Sequence, residues 1–64
     1  MNLANNIKDA RIRSGLTHAE LAKRIGTDQK AISGYERGTR SPKLDKIPKL
    51  AKVLQVSIDD LVQI

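Results

Sequence analysis

Gln29, Lys30, Ser33 and Arg37 follow one another at spacings of one, three and four in the stretch DQKAISGYERG. On a helix turning about 100° per residue, with Gln29 at zero, Ser33 falls near 40°, Arg37 near 80° and Lys30 near 100°. Gly34 lies at the edge of this face, near 140°, while Ala31, Ile32 and Tyr35 occupy roughly 200° to 300°. The polar face therefore offers an amide that donates and accepts, a hydroxyl that does either, and two cationic donors. That is the chemistry of recognition, not of bond making. No cysteine supplies a nucleophile or a thiolate ligand, and the single histidine, His18, has no second histidine or cysteine nearby to hold a metal. With no nucleophile near His18 on its own helix and no isolated carboxylate pair, catalysis is not expected, and neither is a cofactor.

A face of this kind needs a scaffold, and the pattern around it is helical throughout. Apolar residues recur at three and four, the chain has one Tyr and no Phe or Trp, and no alternating run suggests a strand. A first helix is expected from about residue 2 to 14, with Leu3, Ile7, Ala10 and Ser14 on one stripe, closed by Gly15. Thr17 and Glu20 then form the T-x-x-E capping box, with Leu16 and Leu21 as a staple, opening a second helix over 18–25 that ends at Gly26. The third helix is expected after Thr27 as N-cap, with Asp28 in its first turn, and stops at Gly38. Pro48 fits only a first turn, so a fourth helix starts between Asp45 and Pro48. Ser57 as N-cap, with Asp60 at the third position, opens a short fifth helix.

Charge is unevenly distributed. The 64 residues hold 12 Lys and Arg against 7 Asp and Glu, a net charge of +5. Residues 53–64 contain Asp59 and Asp60 and no Lys or Arg, a local charge of −2 that leaves +7 for residues 1–52. Such a surplus favours a polyanionic partner and keeps it away from the C-terminal end. No apolar run approaches the ~20 residues that span a bilayer, the N-terminal residues lack a signal peptide's apolar stretch, and the absence of cysteine suits a reducing cytoplasm.

Two helices of this size joined by Gly26 and Thr27 have the dimensions of a helix-turn-helix. The runs GLTHAELAKRIG, TDQKAISGYERGTRSP and KLAKVLQVSIDDLV resemble, across residues 7–62, the XRE-type, lambda-repressor-like (Cro/cI) helix-turn-helix family. The resemblance implies one all-α domain over residues 1–64, a compact five-helix fold whose helix-turn-helix core spans about 16–38. It also implies that Gln29, Lys30, Ser33 and Gly34 stand at base-reading positions. Gln suits the N6 and N7 edge of adenine and Lys the O6 and N7 edge of guanine. His18 occupies the slot where the family usually carries Gln, at a helix N-terminus that attracts phosphate. Arg37, Thr39, Arg40 and Lys43 are expected over the DNA backbone, with Lys46 reaching a phosphate from the start of the fourth helix. Arg11 and Glu36 stand where the family pairs an arginine of the first helix with the glutamate of the YERG turn.

The function so implied is sequence-specific binding of double-stranded DNA, as a repressor acting as a homodimer on an inverted repeat. Ile58, Leu61, Val62 and Ile64 exceed what so short a helix buries in its own domain, and they motivate a dimer interface within about 53–64. An antitoxin-like module that holds a partner protein and regulates its own synthesis is the alternative. Gly34 leaves a question, because glycine within a helix costs about 1 kcal/mol against alanine. Either it lets the backbone approach the groove, or it is a silent position.

Overall fold

The computed structural model describes residues 3–62, which form five helices: α1 (Leu3–Arg13), α2 (His18–Ile25), α3 (Gln29–Arg37), α4 (Lys46–Leu54) and α5 (Ile58–Val62). The α3 helix packs on α1 and α2, α4 packs on α2, and α5 closes the bundle against α1 and α4. Among the described residues no helix is long and apolar enough to cross a membrane.

Each helix begins and ends for a local reason. At the start of α2 the Thr17 N–H donates to Glu20 Oε1 at 2.9 Å, and the Glu20 N–H donates to Thr17 Oγ1 at 3.1 Å. The Thr17 backbone N–H first, and then the Thr17 side chain, hold the Glu20 carboxyl below its ordinary range. A carboxylate lowered in this way contributes its share above the ordinary glutamate value and loses it as pH falls through the lower folded value. Thr17→Ala should cost about 1 kcal/mol, read as a lower urea midpoint with an unchanged slope.

The next N-cap is Asp28 rather than Thr27. Asp28 has extended backbone, φ −104° and ψ 166°, and its carboxylate accepts from the Ala31 N–H at 2.8 Å. The third helix consequently starts one residue later than the sequence suggests. Pro48 sits in the first turn of α4 as expected. No side chain caps that helix; the Lys46 and Ile47 N–H groups donate to the carbonyls of Lys43 and Leu44 instead. Gly15, Gly26 and Gly38 turn the chain at φ of 72°, 77° and 79°, and Gln55 does the same at 59°. At the start of α5 the Asp60 N–H donates to Ser57 Oγ at 3.0 Å.

Ile7, Leu21, Ile25, Ile32, Leu50 and Leu61 form the fully buried centre, joined by Ala10, Ala22, Ala31, Tyr35, Ala51 and Leu54. Every one of the five helices supplies at least one of them. Burying each large aliphatic side chain contributes about 1.5–3 kcal/mol, and no helix here can realise that without its neighbours. The outward face of α3 is thus held by the packing of its inward face.

Candidate nucleic-acid interface

The inward arc of α3 is as the helical wheel places it, with Ala31, Ile32 and Tyr35 buried. On the outward arc Gln29, Lys30 and Arg37 are exposed and Ser33 is half-buried. Thr39, Arg40 and Lys43 are likewise exposed in the loop that follows. The structure therefore brings a short polar helix face and a basic loop together on adjacent residues, with α1 and α2 supporting them from behind.

The support is anchored by charge. Arg11 Nε donates to Glu36 Oε2 at 2.6 Å, and Arg11 Nη2 donates to Glu36 Oε1 at 3.2 Å. A third donor, Nη1, reaches the Leu16 carbonyl at 2.8 Å, so one guanidinium ties α1, the turn before α2 and the last turn of α3. The two side chains are 13% and 5% exposed. At that burial the forked geometry matters, because it gives two bonds in one plane.

His18 belongs to the same cluster. The sequence places it as a phosphate donor, but its Nε2 lies 3.1 Å from Glu36 Oε1, giving that nitrogen an internal partner. The physical reason is proximity: the first residue of α2 faces the end of α3, where a buried carboxylate has an oxygen to share. The imidazole is 37% exposed, so the ring lies at the rim of the cluster.

Three other expectations change. Lys46 has a partner within the protein, its Nζ donating to the Ile25 carbonyl at 3.2 Å, which takes one of the three ammonium donors. A lysine ammonium is favoured there, where the last carbonyls of α2 lack intrahelical partners and carry the negative end of the dipole. Gly34 is not an open reading position: it is buried, with the side chain of Arg40 lying against it. Leu61 is 1% exposed and belongs to the core, which takes it out of any dimer interface. Asn6 Nδ2 donates to the Leu61 carbonyl at 2.8 Å, fixing α5 to α1, and Ser14 Oγ donates to the Leu54 carbonyl at 3.4 Å, tying the turn after α1 to the end of α4. Ile58 remains 45% exposed and Val62 half-buried, while Ile64 lies outside the described residues.

Sequence reasoning missed the partners of Arg40, Lys46 and His18. Only the glycine inside α3 signalled any of them, by leaving a space for some side chain to fill.

Comparison with known proteins adds three findings. The helix-turn-helix family profile matches residues 7–61. The cryptic phage CTXphi transcriptional repressor RstR of Vibrio cholerae is 41% identical over 59 residues, covering 92% of this chain and 53% of that protein. This chain spans about half the length of RstR and of the HTH-type transcriptional regulator ImmR of Bacillus subtilis. Among solved structures, the P22 c2 repressor in complex with a synthetic operator superposes with a TM-score of 0.92 at 30% identity, covering 98% of this chain and 96% of that one. SinR in complex with DNA superposes with a TM-score of 0.86 at 29% identity, covering 95% and 98% of the two chains.

Proposed function

The chain belongs to the XRE-type helix-turn-helix family, and from that premise we propose that it binds double-stranded DNA sequence-specifically as a transcriptional repressor. The observation that carries the reading is the outward face of α3. Gln29 and Lys30 stand exposed, and Ser33 half-exposed, on a helix whose inward side is locked by buried Ala31, Ile32 and Tyr35 and whose last turn is tied by the Arg11–Glu36 pair. A helix presenting such side chains from its N-terminal half suits the major groove, whose base edges carry a distinct donor and acceptor pattern for each pair. Arg37, Thr39, Arg40 and Lys43 add contacts to the sugar-phosphate backbone, which supply affinity without sequence information.

The protein acts as a homodimer on an inverted repeat, its two recognition helices about 34 Å apart, one turn of DNA. Support for this comes from the α5 end, where Ile58 is exposed and basic residues are absent. It works in the cytoplasm, where the DNA is.

Selection of bound sequences from a random duplex pool tests the proposal. A two-fold symmetric motif is the expected outcome; retention of every duplex alike would remove the repressor reading. Within the selected motif, Gln29→Ala should relax preference at one base pair, with a loss of about 1–3 kcal/mol. Arg40→Ala should weaken specific and random duplexes alike and lower the slope of log affinity against log salt by about one.

A further inference from the structure

Gly34 differs from the other three glycines. Gly15, Gly26 and Gly38 have positive φ, and a Cβ added to any of them would meet nothing closer than 4.0 Å. Gly34 has no such backbone requirement, yet a Cβ there would lie 2.8 Å from Arg40 Cδ, 2.9 Å from Cγ and 3.2 Å from Cβ. The conflict is therefore with packing. It involves the root of the arginine as well as its middle, and the Cβ of Arg40 is fixed by its own backbone. Rotating the side chain away cannot clear it all; the loop itself has to move.

The backbone explains how the arginine arrives there. The Gly34 carbonyl accepts from the Thr39 N–H at 3.1 Å, the Arg40 N–H at 3.2 Å and Thr39 Oγ1 at 3.4 Å. Gly38, at φ 79°, turns the chain back over the end of α3 so that these donors converge. Residues 38–40 thus fold onto the middle of the helix they have just left, and the methylene stem of Arg40 lies across the bare backbone at Gly34. Arg40 nevertheless remains an exposed residue. A stem held along a surface with its charged head in water is the ordinary behaviour of a long cationic side chain.

We propose that Gly34 is a positioning residue: its missing side chain is the seat of the Arg40 stem, and the seat sets where the Arg40 guanidinium meets a phosphate of the duplex. The proposal rests on the DNA-binding reading above. It answers the question of the mid-helix glycine in a third way, since the close approach is made by this chain's own arginine, not by DNA. Base reading is left to Gln29, Lys30 and Ser33, and Gly34 affects binding without touching a base.

The test compares the wild type with Gly34→Ala, Arg40→Ala and the double variant, on selected and random duplexes across a salt series, with thermal unfolding of each free protein. Gly34→Ala should weaken both duplexes by the same factor, about three- to tenfold, and lower the salt slope by about one, as Arg40→Ala does. The double variant should bind no worse than Arg40→Ala alone. A full salt slope in folded Gly34→Ala would overturn the proposal, as would losses that multiply in the double variant, or a loss confined to one base pair.

Proton NMR of the wild type, which needs no variant to fold, should give cross-peaks between the Gly34 Hα protons and the Arg40 Hβ, Hγ and Hδ protons. Their absence also overturns the seat. A wild type that retains no duplex at any salt would remove the DNA-binding reading, and with it the phosphate contact, while the cross-peaks still decide the seat.

Discussion

Glu36→Ala should destabilise the fold by about 3–5 kcal/mol. The carboxylate is 5% exposed and accepts two bonds from Arg11 and has a third contact with His18 Nε2. Removing it leaves the Arg11 guanidinium, 13% exposed, with the Leu16 carbonyl as its one remaining partner among the described residues. The expected loss is dominated by that unpaired charge, not by the attraction of the pair, part of which is cancelled by the cost of taking both ions out of water. A domain of this length is stable by roughly 3–10 kcal/mol at about 0.05–0.15 kcal/mol per residue, so the single variant should lose a third or more of its stability and unfold at a markedly lower denaturant midpoint. Replacing both partners, Arg11→Met with Glu36→Leu, should restore most of the loss because no buried charge remains. Chemical denaturation followed by circular dichroism measures all three proteins. A Glu36→Ala midpoint close to wild type would mean that apolar packing, not this cluster, fixes the end of α3.

The second large effect is expected at Ile32. Its side chain is fully buried in the middle of α3, the helix that packs on both α1 and α2. Ile32→Ala should cost about 2–5 kcal/mol, combining lost transfer free energy with the cavity left among neighbours that cannot fully collapse. Ile32→Val, which removes one methylene, should cost about 0.5–1.5 kcal/mol. The two variants give a graded series at one site. They also separate scaffold from readout: apparent affinity should fall only with the folded fraction, whereas the selected base preference should stay as in the wild type. A changed preference in Ile32→Val would show that α3 shifts in its seat and that its orientation is not rigidly set.

The parts of the fold legible in the sequence are those governed by neighbours along the chain. The Thr17–Glu20 box, the glycines ending α1, α2 and α3, and the Ser57 cap all depend on residues within four positions of one another. The two faces of α3 are legible for the same reason, since a helical wheel needs only the helix. Thr27 and Asp28 both carry a side-chain oxygen able to cap a helix, and in the fold it is the Asp28 carboxylate that accepts from the Ala31 N–H.

What stayed hidden is long-range. Lys46 reaches Ile25 across 21 positions, and a lysine on a wheel carries no sign of which carbonyl it will find. Leu61 looks surplus on a five-residue helix until α1 and α4 are placed beside it. His18 has room in sequence for a phosphate or a carboxylate, and only the packing of α2 on α3 supplies Glu36.

The division of α3 into a first half with an exposed face and a tied second half bears on which substitutions the domain tolerates. Gln29, Lys30 and Ser33 lie where a change of side chain alters what is presented while leaving the core intact. Gly34, Tyr35 and Glu36 are committed to Arg40, the core and Arg11. Within α3, mutational freedom is therefore concentrated in the N-terminal half. Single substitutions there change the presented side chains without disturbing the core, while transplanting the whole helix would sever Glu36 from an arginine it must carry along.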